Sequence, residues 1–308
     1  MKLIKFDLSL ESSIQLFATG LLTMGIDIAM FHFLYRQADS LAFAHIASFL
    51  SASAIGYLSI LLWPLRGKAD ITKPDHFKSG HLLTFVVIAL LVVFLRGGLL
   101  ASLVQIVAFP AATAIILCAF LSSILFYLAY LCFIYSQRIA GLSAEIRWDY
   151  FFLAVVGYTA LLRLFYLGVP DLIFEEAYYW NYAQHLDIGY LDHPLMVAWI
   201  IKLFISLMGN IEFAVRSGAF LCWFITAYFA YKLTREVLNK ACANRALMIV
   251  TVLPPYFSFG WFMSPDAPLT ACWAMAIYYI HQALVRENKT AWWAVSYTHL
   301  TLPTNREV

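Results

Sequence analysis

Residues 14–35 have the sequence IQLFATGLLTMGIDIAMFHFLY, in which Asp27 is the one acidic residue and no Lys or Arg occurs. A helix rises 1.5 Å per residue, so this stretch is long enough to cross roughly 30 Å of hydrocarbon. A cleaved signal peptide would have a shorter apolar core followed by a small-residue exit. We therefore interpret the stretch as a retained membrane span, and similar runs recur along most of the chain.

The composition supports the same fold class. Apolar residues make up 63% of the chain and charged residues 12%, against roughly 45–50% and about 25% in soluble domains. We therefore predict an all-α integral membrane protein with about eight transmembrane helices. A net charge of +2 does not favour a nucleic-acid partner, and the five cysteines lack the spacing of a disulfide framework or metal site.

The first half of the chain contains four predicted spans. They cover about residues 14–35, 41–64, 80–95 and 104–135, with a kink expected in the last at Pro110. Basic residues cluster after the second and fourth spans, whereas Arg36 and Arg96 stand alone in the alternate loops. By the positive-inside rule, the N-terminus is predicted to be cytoplasmic.

A polar stretch over residues 136–149 separates two predicted membrane units, residues 1–138 and 148–294. A fifth span, about residues 150–169, leads into residues 170–192, which are acidic and aromatic and contain no Lys or Arg. This segment is predicted to lie outside the cell.

Leu195–Met208 is apolar but short, so it can be a short span or an interfacial helix. We interpret it as interfacial because the basic cluster after residue 231 is then cytoplasmic. The remaining spans are predicted at about residues 217–231, 247–263 and 267–284, with a tight outer turn at residues 264–266.

The final residues, 295–308, form a Thr-rich polar string. It resembles the translation of a sequencing adaptor, in which case the natural protein continues beyond Val295. An ordinary polar tail is the alternative.

Two short segments carry the densest polar signal: FEEAYYW at residues 174–180 and GYLDHP at residues 189–194. A carboxylate such as Glu175 or Glu176 can accept the proton of an attacking hydroxyl, and the rings of Tyr178 and Tyr179 can stack on sugar or lipid faces. The alternative is an interfacial aromatic belt with solvated acids.

The order of these motifs is more specific than any one of them. EEAYYW, GYLDHP, then NIEFAVR with Glu212 and Arg216, then SPDAP at residues 264–268, together resemble the first outer loops of GT-C membrane glycosyltransferases. The nearest branch contains the aminoarabinose transferases of lipid A and the bacterial relatives of protein mannosyltransferases. The resemblance covers about residues 150–294, the N-terminal part of such an enzyme.

This resemblance implies a sugar donor on a polyprenyl phosphate, a lipid or glycan acceptor and inversion at the anomeric carbon. Glu175 stands where the family usually has the proposed catalytic Asp, so it is the candidate base and Glu176 its neighbour. Arg216 and Lys202 are candidates for stabilising the leaving phosphate.

Three further residues match the family pattern. Asp192 and His193 are expected to shape the acceptor side, with a divalent metal ion as the weaker reading because one Asp-His pair lacks ligand spacing. Asp266 is expected to position its loop or simply to form the turn. No other cofactor is implied.

The first half resembles the GtrA family of four-helix proteins associated with lipid-linked sugars. The similarity lies in Ala18–Thr19–Gly20, Asp27 and QIVAFPAAT at residues 105–113, and it covers about residues 12–136. Asp27 and His32 share an otherwise apolar helix. Because an acid within the membrane is costly, Asp27 is expected to be functional or to face the helix bundle.

We therefore expect a membrane glycosyltransferase of the bacterial inner membrane, with its active site on the outer face and a first unit that presents or translocates the donor. One alternative is a lipid-linked-sugar flippase in which Asp27 is the working residue. The other is a non-catalytic membrane subunit of polysaccharide synthesis.

Overall fold

The structure is a computed structural model, and it describes residues 10–62, 79–129, 143–190, 193–288 and 290–292. Helices make up the regular structure of these residues, and they contain no strand. The contacts divide the chain into two compact units, Met1–Leu142 and Ser143–Val308. The division falls within the polar stretch noted above, and the predicted tail lies outside the described residues.

The first unit contains four helices. They are α1 (Leu10–Ala38), α2 (Leu41–Leu62), α3 (Ser79–Gln105) and α4 (Ala111–Ala129). The side chains of Phe31, Leu100 and Ile115 are fully buried between them, whereas many Leu, Ile and Phe side chains face outward. Apolar side chains on both the inner and the outer face are what a bundle in a bilayer requires.

Two boundaries in this unit differ from the sequence prediction. Helix α3 continues through Arg96 to Gln105, so Arg96 lies within a helix and the prediction of a loop position was wrong. Pro110 precedes α4 and does not kink a longer helix. Proline lacks the N–H that a helix interior needs, but the first turn of a helix leaves its N–H groups unbonded, so proline fits there.

The extended α3 explains how Asp27 is accommodated. Arg96 Nη2 donates to Asp27 Oδ1 and lies 3.0 Å from its Oδ2, and both side chains are buried. Arg96 also donates to the carbonyl of His45 and lies over the ring of Phe49. The acid in the first span therefore faces the bundle, and its charge is neutralised there.

The second unit begins with α5 (Ala144–Tyr166), which is capped by Ser143. The helices that follow are α6 (Phe174–Gln184), α7 (Leu195–Met208), α8 (Glu212–Val237), α9 (Lys240–Val252), α10 (Pro254–Phe259) and α11 (Asp266–Val285).

Helix α8 is the centre of this unit. Its buried face includes Val215, Ala219 and Cys222 and packs against α6, α7 and α11. Gly218 allows α7 to approach, because a Cβ there would lie 2.2 Å from Ile200 Cγ2. Its small residues therefore let α8 hold the surrounding helices close together.

The predicted span over residues 247–263 is not one helix. Leu253 is extended, with φ −62° and ψ 130°, and α10 begins at Pro254. A residue before proline is pushed out of the helical region by the proline ring, which explains the break between α9 and α10.

Five helices are long and apolar enough to cross a membrane. They contain residues 17–38, 41–59, 82–105, 145–166 and 212–237. Residues 111–126 and Leu195–Met208 form shorter apolar helices. An all-α, multi-pass membrane protein fits this arrangement, whereas the total of eight spans and the interfacial position of α7 stay predictions.

The orientation of α8 gives a testable prediction. Ile188, which is 86% exposed, and Asn239, which is exposed between α8 and α9, are replaced singly by Cys in a background without native cysteines. Ile188→Cys is expected to react with an impermeant maleimide from outside, and Asn239→Cys only after permeabilisation, because α8 is long enough to separate them. Labelling of Asn239→Cys from outside would show that α7 also crosses the membrane.

Candidate active site

The acidic, aromatic segment, predicted to be an outer loop, contains a helix. Ile173 is extended, with φ −71° and ψ 163°, and α6 starts directly after it. Glu175 and Glu176 fall in its first turn, where carboxylates interact favourably with the exposed N–H groups of the helix. Both acids belong to the same turn, but Glu175 is exposed and Glu176 points into the interior.

Glu176 is buried, with 1% of its surface exposed. Its carboxylate accepts hydrogen bonds from Nε and Nη2 of Arg216 at 2.7–3.2 Å. It also accepts from the backbone N–H of Ile173 at 3.2 Å and of Met263 at 3.1 Å. These donors occupy both carboxylate oxygens, so Glu176 joins α6, α8 and the segment before α11.

Arg216 is fully buried and uses all five of its N–H donors. Besides the bonds to Glu176, Nη1 donates to the carbonyls of Leu167 and Pro170 at 3.1 and 2.7 Å. Nη2 donates to the carbonyl of Asp171 at 2.8 Å. Arg216 therefore fixes the connection between α5 and α6 from inside the unit.

This geometry argues against the phosphate-binding role expected for Arg216. A phosphate would have to displace the carboxylate or the carbonyls that already saturate the guanidinium, and it would have to enter a closed interior. We therefore treat Arg216 as a positioning residue.

Glu175 differs from Glu176 in burial and in hydrogen bonding. Its side chain is exposed and makes no hydrogen bond or ion pair within the described part of the chain. Phe174 beside it is 87% exposed. A free carboxylate next to an exposed aromatic ring can meet a hydroxyl-bearing ligand without first breaking internal contacts.

An aromatic cluster continues along α6. Tyr182 and Tyr190 stack with ring centroids 4.0 Å apart, and the Tyr182 hydroxyl donates to that of Tyr178 at 2.5 Å. The ring of His193 lies edge-on to Tyr178 and Tyr179 at 5.8 and 5.1 Å. The structure thus brings His193 to the predicted substrate-binding tyrosines, whereas Asp192 lies outside the described residues.

Lys202 and Asp266 occupy other elements of the unit. Lys202 is half-buried on α7 and forms no ion pair among the described residues. Asp266 is exposed at the first position of α11, and its backbone carbonyl accepts from Thr270. No group of three or more His, Cys, Asp or Glu side chains suited to a metal occurs in the described ranges.

Arg163 is a buried residue that the sequence interpretation missed. It lies near the end of α5, with the rings of Trp223 and Phe257 at 4.2 and 4.5 Å. Its Nη2 donates to the carbonyl of Thr251 at 2.8 Å. An arginine in an apolar span is itself the signal that could have identified it, and here it joins α5, α8 and the break between α9 and α10.

Comparison with known proteins gives partial matches, all to glycosyltransferases by name. Residues 192–305, well under half of the chain, match the family described as dolichyl-phosphate-mannose-protein mannosyltransferase. A lipid A galacturonosyltransferase of Rhizobium johnstonii is 40% identical over 60 residues, which are 19% of this chain and 12% of that protein. An undecaprenyl phosphate-alpha-4-amino-4-deoxy-L-arabinose arabinosyl transferase of Proteus mirabilis is 31% identical over 98 residues, 32% of this chain and 18% of that protein.

No solved structure matches the chain. The matched segments cover less than a fifth of either curated relative. The similarity therefore supports a membrane glycosyltransferase in general, and it gives no corresponding support for the GtrA-like interpretation of the first unit.

Proposed function

We propose that the second unit transfers a sugar from a polyprenyl-phosphate donor to a lipid or glycan acceptor at the outer face of the bacterial inner membrane. The observation that carries this proposal is the contrast between two adjacent carboxylates: Glu176 is locked by Arg216, whereas Glu175 is free and exposed. The similarity to named glycosyltransferases supports the reaction class.

In the proposed reaction, the Glu175 carboxylate accepts the proton of an acceptor hydroxyl as its oxygen attacks the anomeric carbon. The bond between that carbon and the phosphate oxygen breaks, and the polyprenyl phosphate leaves with the electron pair. Attack opposite the leaving group inverts the anomeric centre. Tyr178, three residues after Glu175 on α6, is proposed to contact the sugar or the acceptor through its ring.

A leaving phosphate requires positive charge, and Arg216 is not available for it. Lys202 is the remaining candidate from the sequence, since its ammonium group forms no ion pair in the described residues. His193 lies edge-on to Tyr178 and Tyr179, and its proposed role is to shape the acceptor side of the site. Asp266, exposed at the start of α11, is proposed to position its loop.

A second candidate function, movement of a lipid-linked sugar across the membrane, is favoured by one observation in the first unit. Asp27 and several side-chain hydroxyls line a cavity within the helix bundle. A flippase of this kind would not require Glu175, so the two functions can be separated by variants in the second unit.

The first test replaces the proposed base. Glu175→Gln keeps the size of the side chain but removes its basicity, so sugar transfer from a polyprenyl-phosphate donor is expected to fall about 10²–10⁴-fold with donor binding little changed. Glu175→Asp is expected to retain activity, because aspartate occupies this position in the resembled family. An unchanged transfer rate in Glu175→Gln would remove Glu175 as the base.

The second test examines the buried pair. Glu176→Gln leaves the Arg216 charge uncompensated, so the free energy of unfolding is expected to fall by about 3–5 kcal/mol. The midpoint of thermal unfolding of the purified protein, followed by tryptophan fluorescence, measures this loss. Glu175→Gln is the matched control and should lose much less stability, only the interaction of an exposed carboxylate with the start of α6; equal midpoints for both variants would contradict the structural role of Glu176.

The third test addresses the donor phosphate. Lys202→Gln is expected to raise the KM for the donor by about tenfold or more, since a hydrogen bond to a charged group is lost. Lys202→Arg keeps the charge and should restore most of the affinity. Arg235→Gln, in the last turn of α8, is the control for a general effect of removing a positive charge. The same rise in KM for both Gln variants would exclude a specific role for Lys202.

A further inference from the structure

Two consecutive prolines, Pro254 and Pro255, lie at the break between α9 and α10, within the predicted span over residues 247–263. In a continuous α-helix, each carbonyl accepts from the N–H of the residue four positions later. The carbonyls of Val250 and Thr251 would therefore need N–H groups at positions 254 and 255, and proline has none. The break thus leaves two carbonyls without helical donors, in a segment where lipid offers no water to replace them.

Two side chains from neighbouring helices donate to these carbonyls instead. Trp223 Nε1, on α8, donates to the carbonyl of Val250 at 3.3 Å. Arg163 Nη2, on α5, donates to the carbonyl of Thr251 at 2.8 Å, and it lies 3.5 Å from the carbonyl of Tyr256 on α10. The hydrogen bonds lost to the two prolines are therefore replaced one for one, and Arg163 contacts the chain on both sides of the break.

Close packing holds the Arg163 side chain in place. Its guanidinium carbon lies 4.2 Å from the ring centroid of Trp223 and 4.5 Å from that of Phe257 on α10. Gly260 permits this contact, because a Cβ there would lie 2.7 Å from Trp223 Cβ and 3.2 Å from Arg163 Nε. Arg163 is 1% exposed, and no acid among the described residues pairs with it. Its charge is stabilised by the ring faces and by the carbonyl end of α9.

The segment after α10 connects this break to the candidate active site. The N–H groups of Trp261 and Phe262 donate to the carbonyl of Ser258 at 2.9 and 2.8 Å, so the chain turns directly after α10. Met263 follows this turn. It is fully buried, and its N–H donates to Glu176 Oε1 at 3.1 Å. A shift of α10 would therefore reach the first turn of α6, which carries both glutamates, through the backbone of Met263.

Arg163 and Arg216 fix the Glu176 carboxylate from two sides. Arg216 bonds to the carboxylate directly and to the carbonyl of Leu167 at the end of α5. Arg163 lies four residues, or about one helical turn, before Leu167 and bonds to the chain at the break between α9 and α10. The second contact of Glu176, with the N–H of Met263, therefore depends on where Arg163 holds α10.

We propose that Arg163 is a positioning residue for the transfer reaction: it replaces the hydrogen bond lost at Pro255 and so holds α10, Met263 and the first turn of α6 in the arrangement that places Glu175. This inference rests on the proposed function of the second unit, because it assigns the effect of Arg163 to the placement of the Glu175 base. Arg163 is enclosed and acts through the backbone, without contact to the substrate. A misplacement of about 1 Å in a reacting group can cost on the order of 100-fold in rate.

Arg163→Met removes the hydrogen-bond donors and keeps an unbranched side chain in the same buried space. With the full chain in phospholipid nanodiscs and the polyprenyl-phosphate donor used for the Glu175 variants, kcat for transfer is expected to fall about 100-fold, with KM for the donor changed less than about twofold. Arg163→Lys can still donate to a carbonyl but lacks the planar group that stacks on Trp223, so it should recover about tenfold of this loss.

The control for loss of a positive charge on α5 is Arg147→Met, at an exposed position in the first turn of that helix. It should leave kcat unchanged. A kcat for Arg163→Met within about twofold of wild type, or an equal fall in both Met variants, would overturn the proposal.

A double-mutant cycle separates positioning from a general loss of stability. If Arg163 acts by placing the Glu175 carboxylate, its replacement has little left to disturb once that carboxylate has lost its basicity. Arg163→Met is therefore expected to lower kcat by less than about threefold in a Glu175→Gln background, against about 100-fold in the wild type. Equal losses in the two backgrounds would show a general structural effect and would overturn the positioning role.

Hydrogen exchange followed by mass spectrometry tests the structural link without any reaction. The N–H groups of Ile173 and Met263 both donate to Glu176, so peptides that contain them are expected to exchange at least about tenfold faster in Arg163→Met than in the wild type. Peptides of the first unit are the control for global opening and should be unchanged. Unchanged exchange at both N–H groups would overturn the link, whatever the transfer rate. Wild-type transfer by Glu175→Gln would instead overturn the proposed base, and the exchange result distinguishes the two failures because it needs no substrate.

Discussion

The ion pair between Arg216 and Glu176 fixes the architecture of the second unit. Two charges removed from water are stabilised only if every hydrogen-bonding position is filled, and here the guanidinium and the carboxylate are both saturated. Arg216 donates to the carbonyls that connect α5 to α6. Glu176, at the start of α6, accepts from the N–H of Met263. The direction of α6, and with it the position of Glu175, therefore depends on one buried contact.

The same constraint explains why two adjacent glutamates differ. At the start of a helix, neighbouring side chains point about 100° apart, so one can enter the interior while the next faces outward. The Glu176 carboxylate is buried and bonded to Arg216, whereas the Glu175 carboxylate is exposed and makes no hydrogen bond to described residues. In the proposed reaction this arrangement would place the Glu175 base rigidly, because the helix that carries it is held by the residue beside it.

The first unit also contains a buried acid paired with an arginine. Asp27 is paired with Arg96 across two helices, and Arg96 makes one further bond, to the carbonyl of His45. The Asp27 carboxylate also borders a cavity lined by hydroxyls, so it is less enclosed than Glu176. Both acids are buried and paired with an arginine, with 4% of Asp27 and 1% of Glu176 exposed.

The sequence by itself determined the all-α membrane class and most of the long apolar helices, because apolar length is written along the chain. It did not determine that Arg216 pairs with Glu176 or Arg96 with Asp27, since residues 40 and 69 positions apart meet only through helix packing. For the same reason it offered Arg216 for a phosphate and placed Arg96 in a loop. The break at Leu253–Pro254 was not predicted, since residues 247–263 were taken as one span. Which charges are buried and which stay free was decided by the tertiary structure, because burial depends on neighbours that sequence spacing does not specify.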